Sequence, residues 1–197
     1  KELWEIPTEK HQPGLVQHSF GWPLDNRTGG GSFLYHYGNN LVAVGFVLHL
    51  NYANPYLSPY EEFQRFKTHP AIAPMLEGGK RIAYGARALT EGGWQAIPEL
   101  VFPGGALLGC AAGFMNVPRI KGSHNAILSG IAAADAALAA LAAGRSHDRL
   151  EDYEQDVRTG DIARDLKRVR NVKPLWSRFG TFLGIALGGA DMWLNTI

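Results

Sequence analysis

The sequence is nearly without cysteine: 197 residues contain one, Cys110. A disulfide framework is excluded, and so is a zinc or iron–sulfur centre built from this chain alone. It also lacks a charge bias. Nineteen Lys and Arg against 18 Asp and Glu leave a formal net charge of +1, so nothing points to nucleic acid. The seven histidines (His11, His18, His36, His49, His69, His124 and His147) lack H-x-x-x-H spacing, and no metal site is expected in this chain. The chain opens on KELWEIP, with neither an initiator methionine nor a signal-peptide pattern, and reads as a piece of a longer protein.

What the sequence has in excess is glycine, 24 residues, clustered at Gly29-Gly30-Gly31, Gly78-Gly79, Gly92-Gly93, Gly104-Gly105 and Gly188-Gly189. Strong strand signals flank these clusters, so they are not flexible linkers. The length allows one large or two small domains. Lys1 to Ile6 reads as a strand and Gly14 to Gly21 as a shorter one. SFLYHYGNNLVAVGFVLHL, Ser32 to Leu50, reads as a hairpin turning at Gly38-Asn39-Asn40. Its second arm, LVAVGFVL, is apolar on both faces and is expected at the centre of a sheet. Ser58, Pro59 and Glu61-Glu62 predict a helix start, with the helix running to about Thr68, before Pro70.

A short helix is expected over Ala71 to Leu76, a strand over Lys80 to Ala88, and a fully buried strand over Gly105 to Cys110. An alanine-rich helix should cover Ser123 to Ala143 and end at Gly144. A second helical segment, Leu150 to Arg170, should break at Gly160. The apolar tail from Phe179 to Ile197 reads as a third. Strands and helices in this mixed order predict α+β, or α/β with a strand–helix unit near residues 105 to 143.

The stretch LLGCAAGFMNVPRIKGSHNAILSG, Leu107 to Gly130, carries the strongest functional signal. A strand, a glycine-rich loop and a helix N-terminus together make an anion and dipole site. The loop has neither G-x-x-x-x-G-K-[ST] nor G-x-G-x-x-G, so it is neither a P-loop nor the first turn of a dinucleotide fold. At about a dozen residues it is longer than an ordinary strand–helix connection. Plain structural readings stand beside the functional one: Ser123 as an N-cap, Asn116 as a turn residue, and Cys110 as a small buried filler.

The same stretch resembles the second flavin-contacting motif of glutathione-reductase-type FAD proteins, with Cys110 where an acid usually stands. GC-x-x-GFMNVP-[KR]-IKG-[ST]-H narrows the resemblance to the electron transfer flavoprotein–ubiquinone oxidoreductase family. GWPLDNRTGGGSFLYH, NPYLSPYEEFQRFKTHP, LEGGKRIAYGARAL and EGGWQAIPELVFPGG extend it over the whole chain. The resemblance implies a mixed β-sheet ubiquinone-binding domain, mainly residues 1–100, joined to the C-terminal part of a glutathione-reductase-type FAD domain, residues 101–150. A helical segment, residues 151–197, would end in a membrane-surface anchor. It implies an electron-transferring-flavoprotein dehydrogenase, moving electrons from reduced electron transfer flavoprotein through FAD to ubiquinone. A [4Fe–4S] cluster would lie outside this chain.

The residues implied for FAD are Gly109, Cys110, Gly113, Phe114, Met115, Asn116, Gly122 and Ser123. The helix end at Ser123 would face the flavin N1–C2=O edge, with Asn116 and the N–H groups of Gly113 to Met115 on the ribityl side. Those implied for the quinone are Gly30 and Gly31, through backbone contacts; no catalytic side chain is implied. A glycine at position 29 would leave a roomier pocket than a larger residue. Related flavoproteins of the geranylgeranyl-reductase or nitrogen-fixation-associated type are the alternative, and a non-enzymatic membrane-surface module is a third reading.

The tail carries Phe179, Phe182, Leu183, Ile185, Leu187 and Trp193 with one formal charge, Asp191. It is marginal in length for a span and is interrupted by glycines. Arg164, Lys167, Arg168, Arg170, Lys173 and Arg178 precede it, which suits an anionic lipid surface. A monotopic anchor dipping into one leaflet is expected. The resemblance places it on the matrix face of the inner mitochondrial membrane or on the bacterial cytoplasmic membrane.

Overall fold

Two sets of internal contacts divide the computed structural model, which describes residues 1–197. One unit is Lys1–Arg87 with Phe179–Phe182; the other is Ala88–Arg178 with Leu183–Ile197.

The first unit is built on a five-stranded sheet in the order β2-β3-β4-β1-β5. The strands are β1 (Glu2–Glu5), β2 (Val16–Ser19), β3 (Gly30–Tyr37), β4 (Leu41–Leu48) and β5 (Lys80–Tyr84). The β3–β4 hairpin turns where expected, with Tyr37 paired to Leu41. β4 is interior to the sheet, also as expected. Every pairing is antiparallel, which corrects the mixed sheet. The physical reason is β1: it enters between β4 and β5 and runs opposite to both, so no crossover returns a strand in parallel.

One face of β4 is fully buried, through Val42 and Val44; the other is only partly covered, so the strand is less enclosed than its composition predicts. Helix α1 (Pro59–Lys67) starts as the sequence requires, with Ser58 Oγ accepting the Glu61 N–H at 3.4 Å. It buries Phe63 and Phe66 against Val42, Val44 and Leu34, and Leu76 of the short helix α2 (Ala73–Leu76) closes that core.

Under this sheet lies a buried carboxylate. Glu2 Oε2 accepts from Lys67 Nζ and from Trp4 Nε1, both at 2.8 Å, while Oε1 accepts from Arg81 at 3.2 Å. Nothing in the local sequence signals this meeting, because two of its three partners, Lys67 and Arg81, come from distant places in the chain.

The second unit has little sheet. β6 (Val101–Phe102) and β7 (Gly105–Ala106) make a two-residue ladder. The buried strand expected over Gly105 to Cys110 therefore stops after two residues. Gly109 has φ +54°, which ends the extended run, and α3 (Gly109–Ala112) begins there instead. The unit is otherwise helical: α4 (Ser123–Ala142), α5 (Glu151–Thr159) and α6 (Asp161–Arg168). The break between α5 and α6 falls at Gly160 as expected. A Cβ there would stand 2.6 Å from the Asp156 carbonyl oxygen. Tyr153, Phe114, Leu100 and Leu166 are the largest fully buried side chains of the core. Tyr153 donates its hydroxyl to Leu107 O at 2.7 Å, and burial pushes that phenol up to about 12.

Helix α7 (Val172–Leu194) starts earlier than the tail segment read from sequence, and it is not one rod. Gly180 has φ 77° and ψ −176°, outside helical space. In the first unit this residue is held against Asn26: Thr181 N–H donates to Asn26 O at 2.8 Å, and Phe182 N–H to its Oδ1 at 3.1 Å. In the second unit the two arms of α7 lie against each other through glycines. A Cβ on Gly184 would come within 2.5 Å of Trp176 Cα, and one on Gly188 within 3.4 Å of Val172.

Candidate functional site

Each unit carries one cluster of the residues singled out from sequence. In the first, Gly30 and Gly31 open β3, paired with Leu48 and Val47 of β4. β2 ends opposite Ser32, so its ladder does not reach the glycines. Their missing side chains have a local cause. A Cβ on Gly30 would overlap the Val47 carbonyl oxygen and lie 2.7 Å from Leu24 Cδ1. A Cβ on Gly31 would lie 2.7 Å from Ser19 O. The bare backbone is thus demanded by the neighbouring strand and by the Ser19–Leu24 loop. The space beside Gly29 is filled rather than roomy, because the His49 ring occupies it.

In the second unit, the loop after α3 folds back on itself. Asn116 and Lys121 form an isolated antiparallel bridge, and Gly122 then caps α4. This brings Met115, Gly122 and Ser123 together, with Gly122 packed on Met115. Cys110 is exposed, which corrects its reading as a buried filler: it sits in the first turn of α3 instead of at the end of a buried strand. Phe114 is fully buried in the core. Gly113 N–H donates to Cys110 O and Phe114 N–H to Gly109 O, so both are engaged within the loop. Gly109 N–H donates to Ser129 Oγ at 3.1 Å, tying α3 to α4.

Ser123 is the first helical residue and not the cap. The cap position is held by Gly122, so no side chain satisfies the opening N–H groups of a 20-residue helix. An uncapped first turn of this kind presents donors and a partial positive charge. An electron-rich, flat group set against Met115, Gly122 and Ser123 would fit it.

The residue that organises this loop was missed from sequence. Asp165, on α6, accepts at Oδ2 from Asn116 Nδ2 at 3.0 Å and Asn125 Nδ2 at 3.1 Å. His124 Nε2 lies 3.0 Å from the same oxygen, and Arg119 is 3.2 Å from Oδ1. Burial raises this carboxyl, but the hydrogen bonds from Asn116, His124 and Asn125 and the charge of Arg119 outweigh it and hold it below the usual range. Asn125 also donates to Phe114 O at 3.0 Å. The Asn116 side chain, read as a ribityl contact, is turned inward to Asp165.

Asp165→Ala is expected to destabilise the second unit by about 2–3 kcal/mol, because it strands the buried side-chain amides of Asn116 and Asn125. Denaturant unfolding measures the loss, and hydrogen exchange should localise it to residues 114–125. A depressed carboxyl stabilises above its ordinary range, so the difference should shrink as the pH falls below about 4.

All six tail residues read as membrane-facing are exposed, Phe182 by 72% and Trp193 by 66%. The residues from 181 to 194 make a helical arm of about 20 Å, short of the roughly 30 Å of a bilayer core. The basic residues before it are not all free for a lipid surface. Lys167 lies over the Trp94 ring at 4.8 Å, and burial lowers the pKa of Lys173 against the opposing effect of Glu91. Helix α4 is the one helix long and apolar enough to cross a membrane, by length and composition. It packs Asn125, Ser129 and Ala133 inward and exposes Ile127, Ile131 and Leu138. Two open depressions, of about 260 Å³ beside Phe33 and Tyr84 and about 280 Å³ beside Ile131 and Asp156, coincide with neither glycine cluster.

Residues 1–89 match the family described as ETF-QO, ubiquinone-binding. The chain is 52% identical over 98% of its length to the mitochondrial electron transfer flavoprotein–ubiquinone oxidoreductase of Rattus norvegicus. It is 50% identical over 98% to that of Oryza sativa subsp. japonica, and 52% identical over 96% to that of Caenorhabditis elegans. It spans about a third of the length of these relatives. Among solved structures, a geranylgeranyl bacteriochlorophyll reductase-like protein from Thermoplasma acidophilum shares the fold. The TM-score is 0.67 at 19% identity, over 97% of this chain and 45% of that one.

Proposed function

We propose that the chain, whose residues 1–89 match the family described as ETF-QO, ubiquinone-binding, is the quinone-side portion of an electron transfer flavoprotein–ubiquinone oxidoreductase. Electrons would arrive from reduced electron transfer flavoprotein and leave to ubiquinone at a membrane surface. The observation that carries the reading is the sustained identity, 50–52% across both units, that joins the glycine run of β3 to the uncapped start of α4.

Within this reading the quinone head group lies against the backbone of Gly30 and Gly31. Bound FAD supplies the uptake of electrons in pairs and their release singly. Met115, Gly122 and Ser123 would meet its isoalloxazine side, with the exposed Cys110 as a further contact, and Gly109, Gly113, Phe114 and Asn116 hold the loop in shape. The first turn of α4 presents N–H groups where negative charge gathers on reduction, which favours the reduced state. No side chain acts as a nucleophile; proximity, potential and exclusion of water do the work. The exposed apolar residues of α7 rest on one leaflet of the mitochondrial inner membrane or a bacterial cytoplasmic membrane. A [4Fe–4S] cluster has no ligand set among these residues and belongs to the remainder of a protein of the relatives' length.

A protein of that length carrying this chain is expected to be yellow, to hold one flavin, and to reduce ubiquinone-1 when given reduced electron transfer flavoprotein. Flavin-free protein, or flavin-bound protein inert toward quinone, overturns the reading. Ser123→Ala is expected to lower the flavin potential by roughly 30 mV, the equivalent of one hydrogen bond to a charged group. Spectroelectrochemical titration reads the shift; an unchanged potential removes Ser123 from the flavin edge.

A further inference from the structure

Lys1 stands just ahead of β1 and Gly85 just after β5, and the two exchange a pair of backbone bonds. Lys1 N donates to Gly85 O, and Gly85 N–H donates to Lys1 O, both at 3.0 Å. Such an exchange marks a hydrogen-bonded pair of an antiparallel ladder. It follows in register from Glu2 opposite Tyr84. The β1–β5 ladder therefore carries on past the end of both strands.

Beyond that pair only one side continues. Ala86 and Arg87 are exposed and make no backbone hydrogen bond. Their sequence still favours a strand: KRIAYGARA reads as one from Lys80 to Ala88, whereas β5 closes at Tyr84. No proline intervenes, and Gly85 is not among the glycines with positive φ. The strand stops where its partner stops, and not at a turn of its own. The chain spans about a third of the length of its relatives, so a protein of their length has other polypeptide to supply.

We propose that the segment joined to Lys1 in such a protein continues β1 and runs antiparallel to Ala86 and Arg87. Strand alternation fixes the register. The residue directly before Lys1 stands opposite Ala86 as a non-hydrogen-bonded pair, and the residue before that exchanges both backbone bonds with Arg87. The latter shares a face with Lys1 and Leu3. Those two residues line the depression of about 260 Å³ together with Tyr84 and Gly85, so the added pair extends its rim. What the open ladder recognises is an extended main chain with a free N–H, which excludes proline two residues before Lys1. The consequence reaches the glycine run. β1 pairs with β4, and β4 with β3, which carries Gly30 and Gly31. Main-chain bonds thereby tie that sheet to the rest of the polypeptide, wherever the quinone binds.

The test uses a protein of the relatives' length carrying this chain. Cysteines placed at the residue before Lys1 and at Ala86 would face each other at a Cα separation of about 4.5 Å, within disulfide reach. They are expected to cross-link in the majority of molecules on mild oxidation, read as a linked peptide by mass spectrometry. Moving the second cysteine to Arg87 puts the side chains on opposite faces, and the yield should fall about tenfold or more. No link at Ala86, or a higher yield at Arg87, overturns the proposal. Hydrogen exchange needs no substitution and serves if the cysteine variants do not fold. The Arg87 amide is expected to exchange within about tenfold of the Gly85 amide, as members of one cooperative ladder do. Free exchange at Arg87 beside a protected Gly85 overturns the pairing.

Discussion

Replacing Glu2 by alanine is expected to destabilise the first unit by about 3–5 kcal/mol, the largest single loss that the structure predicts. The side chain of Glu2 is 3% exposed and that of Lys67 13% exposed, so removing the carboxylate leaves a buried ammonium with no compensating charge. Arg81, more exposed, and the Trp4 indole lose their acceptor at the same time. The network also joins β1 and β5 to α1, so its loss should weaken the pairing of β1 on both edges. Burial acts to raise the Glu2 carboxyl, but the hydrogen bonds from Lys67, Trp4 and Arg81 outweigh it and hold the carboxyl below its usual range. A carboxyl so depressed contributes stability above its ordinary pKa and loses it as the pH falls through the depressed value. The gap between parent and Glu2→Ala should be full at pH 7 and narrow below about pH 4. Urea unfolding at the two pH values measures both parts. Equal stability at pH 7 would refute the role given to the carboxylate.

Gly31→Val should lower quinone reduction about 100-fold while leaving flavin bound. A Cβ at position 31 would already stand 2.7 Å from Ser19 O, and a branched side chain adds two methyl groups to that overlap. β2 and the loop after it must then shift away from β3. The overpacking should cost about 1–3 kcal/mol. Because catalysis here depends on position, a displacement of about 1 Å should lower turnover with quinone by about 100-fold. The flavin surface lies in the other unit and has its own core, so flavin content should not change. Steady-state quinone reduction and the flavin absorbance of the same preparation decide the matter.

These two residues illustrate how unevenly the sequence discloses the molecule. The β3–β4 hairpin, the Ser58 cap, the break at Gly160 and the alanine-rich helix follow from local rules acting over a few residues, and all four are where those rules put them. The glycine run at the start of β3 was visible for the same reason. Its neighbours were not: Ser19, Leu24, Val47 and His49 reach it from separate places in the chain. Glu2 and Asp165 are ordinary acids in sequence, and only the fold converges three or four donors on each.

The strand expected at Gly105 failed on a local detail. Gly109 adopts a left-handed conformation that apolar composition alone does not announce. The tail is helical and interrupted by glycine as read from sequence, but its partner was not legible: at the Gly180 break Asn26 accepts from the N–H groups of Thr181 and Phe182. The mixed sheet was implied by the resemblance, whereas β1 runs antiparallel to both of its neighbours and leaves the sheet antiparallel throughout.

The central claim is that one flat acceptor, the quinone head group, lies on the bare start of β3. Hydrogen exchange in a flavin-loaded protein of the relatives' length, with and without a tight-binding quinone analogue, tests it most directly. The account predicts added protection of the amides from Gly29 to Ser32 and at His49. Protection confined to other segments, with residues 29–32 unaffected by a bound analogue, would contradict it.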